Sequence, residues 1–316
     1  MTEAAISVEG LRKKFGSVVA LDGIDFDVPA GSVFGLLGPN GAGKTTAVRI
    51  LTTILTPDGG RAKVLGRDVV KDQSFVRASI GLAGQFAAVD ENLTGSENLR
   101  LIGKLTHMPR HLIKARVDEL LERFDLTEAA TRPSKTYSGG MKRRLDVAAA
   151  LVHRPPVLFL DEPTTGLDPA GRADVWEMVE ELVTDGTTVL LTTQYLEEAD
   201  RLAEQLAVVD HGKVIASGSP AKLKATIGST VIDFGLSSQA AAKRAAKVLI
   251  GLTTSEPIVD GKTVEINAKD GAKVLPDLLR ALDKARIKPT TINLREPSLD
   301  DVFLALTGHK AEEEAA

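Results

Sequence analysis

Short apolar runs alternate with helical patterns over about the first 220 residues of this chain. Residues 33–37, 157–160 and 188–192 are almost wholly apolar or β-branched, which is typical of strands buried on both faces of a sheet. Residues 6–8 and 24–28 instead alternate between apolar and polar positions, which predicts antiparallel strands with one solvated face. The succession of strands and helices predicts an α/β fold around a mostly parallel sheet.

A helical segment interrupts this alternation between residues 85 and 151. Residues 96–105, 110–124 and 138–151 have helical spacing and few strand formers, so they predict a helical subdomain inserted into the α/β domain. We therefore assign residues 1–220 to one domain, with residues 85–151 as its helical insertion.

The pattern changes again after Gly228. The predicted order is β-α-β-β-α-β, which indicates a small ferredoxin-like α+β domain over residues 228–308. Its elements are residues 230–234, 239–250, 253–259, 263–267, 272–285 and 290–294. Leu299, Val302, Phe303 and Leu306 then follow a helical spacing, as ordinary core or as a docking stripe for a partner. Residues 309–316 are short, polar and terminal, so we expect them to be disordered.

Composition excludes several classes of function but does not identify one. The chain has 316 residues, more than one core usually holds, and its 39 basic and 43 acidic residues give a net charge of −4, so we expect no nucleic-acid partner. It has no cysteine, which excludes disulfides and thiolate metal sites. No apolar run approaches the ~20 residues that a membrane-spanning helix needs, so any work at a membrane requires a partner protein.

A glycine-rich segment between a predicted buried strand and a predicted helix matches the phosphate-binding pattern G-x-x-x-x-G-K-[ST]. Such glycines allow backbone N–H groups to converge on a phosphate. We expect Lys44 to contact the β- and γ-phosphates of ATP and the Thr45 hydroxyl to ligate Mg²⁺. A ligand-free turn is the alternative, which this setting disfavours. The predicted nucleotide-binding residues are Gly38, Pro39, Asn40, Gly41, Ala42, Gly43, Lys44, Thr45 and Thr46.

Two carboxylates end the predicted strand at residues 157–160. In open α/β sheets, ligands bind at the carboxyl ends of the strands. We therefore expect Asp161 to hold Mg²⁺ and Glu162 to deprotonate the attacking water. Alone, such an acidic pair is more often a turn or a helix cap; together with the phosphate-binding segment it predicts nucleotide hydrolysis.

A second glycine pair, Gly139 and Gly140, stands at the start of a predicted helix with Ser138 before it. A helix N terminus of this kind is another anion site, yet one nucleotide does not need two cradles from one chain. The hypothesis that resolves this is a homodimer in which each chain completes the other's site. The segment comprises Tyr137, Ser138, Gly139, Gly140 and Met141, and begins 24 positions before Asp161.

Taken together, these motifs resemble the ATP-binding cassette family, over roughly residues 6–218. The resemblance implies further site residues: Phe15 stacks on adenine, Gln85 senses Mg²⁺ and water, and Asp168 lies in the loop that touches the other subunit. Gln194 stands where the family has a switch histidine. An amide donates a hydrogen bond but takes up no proton, so we expect Glu162, rather than position 194, to act as the base.

Gln194 and the C-terminal segment at residues 294–306 resemble the daunorubicin-resistance type of exporter ATPase. That resemblance implies a separate membrane permease of the ABC-2 type, export of a hydrophobic drug or lipid, and a place on the cytoplasmic face of the membrane. Met141 and Tyr137 depart from the family's usual signature, and Phe15 replaces the commoner tyrosine.

Three local features have plainer interpretations. His107 and His111 are four residues apart but have Pro109 between them and no carboxylate ligand, so we expect no metal there. The basic run at residues 142–144 favours a solvated helix face over a phosphate or permease contact. The amphipathic residues 110–124 favour packing on the subdomain core over binding to a membrane surface.

Three other functions share such cassettes. An ATP-dependent clamp on nucleic acid or the ribosome is disfavoured because Ser138 follows Lys44 by only 94 positions, without a heptad run or a second cassette. A nucleotide-binding regulator without turnover is supported only by Gln194 and opposed by Glu162. An importer ATPase is disfavoured by the resemblance at residues 299–306.

Overall fold

The computed structural model describes residues 4–84, 89–227, 230–252 and 256–307. The chain divides into two compact units, Met1–Ser217 and Gly218–Ala316. Within the residues described, every helix is too short or too polar to span a bilayer.

The first unit contains ten strands and seven helices among its described residues. In chain order they are β1 (Ala4–Phe15), β2 (Val18–Pro29), β3 (Val33–Leu37), α1 (Lys44–Leu51), β4 (Gly59–Val64), β5 (Arg67–Asp68), α2 (Gln73–Ser79), β6 (Ile80–Ala83), α3 (Gly95–Leu105), α4 (Arg110–Arg123), α5 (Gly139–Ala150), β7 (Val157–Asp161), α6 (Pro169–Thr184), β8 (Thr188–Thr193), α7 (Leu196–Leu202), β9 (Gln205–Asp210) and β10 (Lys213–Gly218).

The main sheet has the strand order β10-β9-β3-β8-β7-β6. Strands β9, β3, β8, β7 and β6 pair in parallel. Every residue of β3, β7 and β8 is buried, as the apolar runs predict. Because β3 and β7 flank β8, the loops that follow these three strands emerge at one edge of the sheet, where α/β proteins bind ligands.

A second, antiparallel sheet has the order β2-β1-β4-β5. Strands β1 and β2 pair antiparallel, as their alternating pattern predicts. Their inward side chains, among them Ile6, Leu21 and Ile24, are fully buried and pack with α1 in one core. This core fixes the phosphate-binding segment between β3 and α1 from behind.

The predicted helical insertion is confirmed by α3, α4 and α5. Thr94 caps α3: its hydroxyl accepts from the Glu97 N–H, and the Glu97 carboxylate accepts from the Thr94 N–H. The apolar faces of the three helices share a core, represented by Leu99, Val117 and Leu145, each fully buried. Residues 110–124 thus pack on the subdomain core, as preferred above. Gln85 lies outside the described residues.

The second unit is the predicted ferredoxin-like domain. Its elements are α8 (Pro220–Ile227), β11 (Thr230–Gly235), α9 (Gln239–Leu249), β12 (Ile258–Asp260), β13 (Thr263–Ala268), α10 (Gly271–Lys284), β14 (Thr291–Arg295) and α11 (Leu299–Thr307). The sheet is antiparallel in the order β12-β13-β11-β14, with α9 and α10 packed on its core.

Two details of this unit differ from the sequence analysis. Helix α8 was not predicted; it packs against α11, which buries Leu223. In α11, Leu299, Val302 and Phe303 are buried, whereas Leu306 is 44% exposed. The stripe at residues 299–303 is therefore core of this unit rather than a free docking surface. The predicted tail at residues 309–316 lies outside the described residues.

Candidate nucleotide site

The segment between β3 and α1 folds in a way that only glycine permits at two positions. A Cβ on Gly38 would lie 2.1 Å from the Val209 carbonyl oxygen, and one on Gly43 would lie 2.4 Å from the Ala20 carbonyl oxygen. Gly43 also has a φ of +109°, and Gly41 has +81°. Gly43 precedes α1, and no side chain caps this helix. The backbone is therefore shaped as an anion cradle at a helix N terminus.

Lys44 lies folded into this cradle. Its ammonium donates to the Gly38 carbonyl at 2.7 Å and to the Pro39 carbonyl at 3.0 Å, and it lies 3.4 Å from Glu162 Oε1. Only 4% of Lys44 is exposed. Burial lowers the pKa of Lys44, and the carboxylates of Glu162 and Asp161 oppose that shift. The two sequence motifs thus meet through one buried ion pair.

Asp161 is held by hydroxyl groups from two other elements. Thr45 Oγ1 donates to Asp161 Oδ1 at 3.2 Å, and Thr192 Oγ1 donates to the same oxygen at 2.5 Å. Asp161 ends β7 directly opposite Thr192 on β8, so the strand pairing sets this contact. Thr192 was not predicted from the sequence; its position two residues before Gln194 at the end of a buried strand was the available signal.

Glu162 has an unusual backbone. Its φ is +51°, in the left-handed region that non-glycine residues seldom adopt. The Thr192 carbonyl and hydroxyl oxygens both accept from the Glu162 N–H at 3.1 Å. This bend turns the carboxylate toward Lys44 rather than along the strand. Thr165 Oγ1 lies 3.4 Å from Glu162 Oε2.

Gln194 follows β8 and is 7% exposed. The hydrogen bond from the Tyr195 N–H to Thr193 Oγ1, at 2.9 Å, spans Gln194 at the turn into α7. Glu198, fully buried on α7, accepts from Trp176 Nε1 at 3.1 Å. Burial raises the pKa of Glu198.

The Ser138 segment divides into an exposed part and a buried part. Ser138 Oγ accepts from the Met141 N–H at 3.2 Å and so caps α5. Ser138 and Gly139 are exposed, whereas Tyr137 is only 5% exposed and donates its hydroxyl hydrogen to the Ala129 carbonyl at 2.7 Å. Burial raises the pKa of Tyr137. Tyr137 and Met141 both pack into the subdomain core, so their side chains support the segment from inside.

Arg143 overturns the expectation of a solvated face at residues 142–144. Its side chain is 12% exposed. Its guanidinium donates to the Pro163 carbonyl at 2.8 Å and the Gly84 carbonyl at 2.7 Å, and pairs with Asp146 at 3.3 Å. A guanidinium can satisfy several fixed acceptors at once, which explains its place here. Arg143 thereby connects α5 with the backbone that follows Glu162 and the backbone that precedes Gln85.

Beside Arg143 is a cleft of about 250 Å³. It is lined on one side by the start of α5, including Gly139, and on the other by Glu162 and residues 165–167. Asp168 lies just beyond, where its side chain accepts from the Gly171 N–H at 3.0 Å and caps α6.

The remaining predicted residues are more peripheral. Phe15, at the end of β1, is 47% exposed, and Lys13 Nζ lies 5.6 Å from its ring centre. Gln85 lies outside the described residues. Among those described, no cluster of three or more histidine, aspartate or glutamate side chains is arranged to hold a metal ion, including around His107 and His111.

Two protein-family models match this chain, one in each of its two units. A family model described as ABC transporter matches residues 21–165, and one described as ATP-binding protein DrrA1-3-like, C-terminal domain, matches residues 218–307. The daunorubicin resistance ATP-binding protein DrrA3 of Streptomyces coeruleorubidus is 52% identical, over 98% of this chain and 97% of that protein. The chain belongs to the ABC transporter ATP-binding proteins of the daunorubicin-resistance type.

More distant matches agree with this membership. The Nod factor export ATP-binding protein I of Ralstonia nicotianae is 40% identical over 96% of this chain and 94% of that protein. The solved structure of cbiO1 from Clostridium perfringens, part of an ABC transporter complex, is 28% identical with a TM-score of 0.65, covering 70% of this chain and 90% of that one. The chain is therefore a nucleotide-binding ATPase subunit, and subunits of this family dimerise and work with membrane permeases.

Proposed function

We propose that this ATPase subunit hydrolyses MgATP in sites shared between two copies and thereby drives export of a hydrophobic drug or lipid. The observation that carries the proposal is the buried contact of 3.4 Å between Lys44 and Glu162. It puts a candidate phosphate-binding cation and a candidate base in contact with each other beside the glycine-rich segment. Neutralising either group would leave the other charge buried without its ion-pair partner. That lowers the folding stability unless a bound ligand compensates the remaining charge.

Lys44 would exchange its present partners for the nucleotide. The Gly38 and Pro39 carbonyls that now accept from its ammonium belong to the same cradle as the N–H groups that would face phosphate. Contacts between an ammonium group and phosphate are charge-assisted and roughly twice as strong as neutral hydrogen bonds. Phe15, exposed at the end of β1, would supply a flat surface for the adenine ring.

Thr45 and Asp161 fit an Mg²⁺ ion. Both present hard oxygen donors, already within 3.2 Å of each other, and Mg²⁺ favours one or two protein oxygens with phosphate and water completing its shell. Bound there, Mg²⁺ would neutralise charge on the phosphate oxygens. We assign Gln85 to this ion by resemblance alone.

Glu162 would act as the general base. Its left-handed backbone and its contact with Thr192 fix where the carboxylate lies, which is what proton transfer at a set distance requires. Gln194, at the end of the neighbouring strand, would donate a hydrogen bond from its amide to the γ-phosphate. An amide holds no exchangeable charge near neutral pH, so the proton passes to Glu162.

The Ser138 segment would complete the site of a second copy. Its Ser138 and Gly139 are exposed at the start of α5, whereas the cradle around Lys44 is buried in its own chain. The lysine nearest this turn, Lys142, is paired with Glu91, so the exposed turn contributes most when another surface brings the phosphate. Asp168, which caps α6 at the neighbouring loop, would lie at the same dimer interface.

The transport partner would be a separate permease of the ABC-2 type, with this subunit on the cytoplasmic face of the membrane. The relatives named for daunorubicin resistance and Nod factor export support an export role. We place the permease contact near residues 85–86 and 93–105. Loss of the γ-phosphate would rotate the helical subdomain as a rigid body and move that surface.

The decisive experiment is reconstitution. The purified chain and a candidate permease of the ABC-2 type would be reconstituted in liposomes, and uptake of a fluorescent anthracycline followed with and without MgATP outside. We expect ATP-dependent uptake that Glu162→Gln abolishes. Uptake that persists in Glu162→Gln, or MgATP hydrolysis with no uptake of drug or labelled lipid, contradicts the proposal.

A further inference from the structure

The hairpin of α3 and α4 carries an unusual concentration of positive charge. Residues 98–117 contain no aspartate or glutamate, although acidic residues outnumber basic ones 43 to 39 in the whole chain. The same 20 residues hold five lysines or arginines and two histidines. A local excess of one sign on a chain of opposite net charge indicates a surface selected for a charged partner.

These cations converge on one hollow. Gly103 allows the helices to approach closely, since a Cβ there would lie 3.3 Å from Ile113. A hollow of about 890 Å³ at this corner is lined by four cationic side chains together with Met108, Ile113 and His107; the four are Arg100, Lys104, Arg110 and Lys114. Only Lys114 has an ion pair among the described residues, with Asp118 at 2.7 Å, and both are solvent-exposed.

Exposed leucines flank this hollow. Leu105 is 64% exposed, Leu112 48% and Leu101 41%. They are not the core face of the hairpin, because Leu99 and Ile113 already fill that role. The hairpin therefore exposes large apolar side chains within two positions of the cations that line the hollow.

We propose that this hairpin surface binds an anionic phospholipid bilayer, with lipid phosphates at the cationic hollow and Leu101, Leu105 and Leu112 at the boundary of the acyl chains. Cations beside exposed apolar side chains are the pattern of segments that lie in the membrane interface. An acidic protein segment could pair with the cations, but it would leave the exposed leucines in contact with water. None of its residues belongs to the nucleotide site described above. Four of them, Arg100, Leu101, Lys104 and Leu105, fall within residues 93–105, where we place the permease contact, so the experiment separates lipid from permease.

The test is sedimentation of the purified full-length chain with vesicles, without any permease. Neutral phosphatidylcholine vesicles would be compared with vesicles containing about 30% phosphatidylglycerol, at low and high salt. We expect binding to the anionic vesicles that weakens as salt rises, and little binding to the neutral ones. Glycerol phosphate, a soluble headgroup analogue, should not displace the protein, because it offers no acyl phase for the leucines.

Variants assign the binding to this surface. Lys104→Glu with Arg110→Glu should weaken binding to anionic vesicles at least about tenfold, since each cation near such a surface contributes about fivefold. Leu105→Gln should weaken it less. The matched control is Lys243→Glu with Lys247→Glu, two exposed lysines on α9, which should bind as wild type. ATPase activity without lipid should be unchanged in all three.

Three results would overturn the proposal. One is wild-type protein that binds neither vesicle, or both equally. Another is an equal loss of binding in the α9 control, which would show that net charge alone governs adsorption. The third is that the hairpin variant binds vesicles normally but no longer co-purifies with the permease, which would assign this surface to a protein partner instead.

Discussion

The segment around Lys44 and the segment around Ser138 are both glycine-containing turns at the start of a helix, yet they are built differently. Gly43 leaves α1 without a side-chain cap, and Lys44 and Glu162 are buried beside it. Ser138 caps α5 with its own hydroxyl and is exposed. The first segment has its charges in place within one chain. The Ser138 segment presents only backbone groups and a hydroxyl to a docking partner.

Anion-binding geometry alone therefore does not make a hydrolytic site. Helix N termini attract phosphate wherever they occur, but turnover needs a base and a cation within contact distance. Only the Lys44 segment has both, through the 3.4 Å pair with Glu162. We therefore assign nucleotide binding to the Lys44 segment. The Ser138 segment is assigned to completing the site of the other chain in a dimer.

The largest losses of turnover are expected at Glu162 and at the two phosphate-binding segments. Glu162→Gln keeps the size and hydrogen-bonding capacity of the side chain but removes the base, so kcat should fall by about 10²–10⁴-fold while ATP binding persists. A nucleotide-bound dimer should accumulate and be visible by size-exclusion chromatography. The control is Glu122→Gln, an exposed carboxylate on α4. A Glu162→Gln enzyme with normal kcat would remove this residue from its assigned role.

Lys44→Ala and Ser138→Arg separate the two segments. Lys44→Ala should weaken ATP binding, since a charge-assisted contact contributes about 1.5–3 kcal/mol, and should abolish turnover. Ser138→Arg should leave the affinity of the monomer for nucleotide unchanged and abolish hydrolysis. Both are measured by equilibrium binding of a fluorescent ATP analogue and by phosphate release. An equal loss of nucleotide affinity in the two variants contradicts the division of labour.

A smaller effect is expected at Arg143, which connects α5 to the backbone on either side of the catalytic region. Arg143→Ala should lower the free energy of unfolding by about 1.5–3 kcal/mol and lower kcat more than it changes the ATP dissociation constant. Arg143→Lys should recover part of the stability but less of kcat, because an ammonium cannot serve Gly84 and Pro163 in the fixed geometry of a guanidinium. If both variants lose stability and keep kcat, Arg143 is structural only.

The smallest effect is expected at Gln194. Gln194→Ala should cost about 0.5–1.5 kcal/mol of phosphate contact in the ground state and reduce kcat more than affinity. Gln194→His should stay active and acquire a pH dependence near ~6.5. The imidazolium attracts phosphate, so that contribution is present below this pKa and declines as pH rises through it. A Gln194→Ala enzyme with full activity from about pH 6 to 9 would show that position 194 has no catalytic role.

Some residues of the candidate site could be predicted from the sequence alone, and others could not. The buried strands and the glycine spacing predicted where residues 38–46, Asp161 and Glu162 would meet, because apolar runs and φ-dependent glycines are local signals. Thr192 and Arg143 were missed because their partners come from strand register and from helix docking. Arg143 in particular resembles any surface cation in a basic run; only the packing of α5 against Gly84 and Pro163 buries it.

The second unit shows the same limit. Its β-α-β-β-α-β order follows from alternating apolar patterns and was predicted. Helix α8 was not, because Pro220 and the neighbouring glycines indicate a linker, and its burial depends on contact with α11 about 80 positions later. Tertiary contacts between distant segments, rather than local preference, determine such elements.

The central claim is that Lys44 of one chain and Ser138 of another form one hydrolytic site. The most direct measurement mixes the Lys44→Ala and Ser138→Arg proteins, each inactive alone, and assays phosphate release from MgATP. A mixed dimer contains one site with an intact Lys44 segment and an intact Ser138 segment, so the account predicts recovered activity, up to about a quarter of the wild-type sites in a random mixture of symmetric dimers. If both variants fold and dimerise and the mixture remains inactive, the shared-site account is wrong.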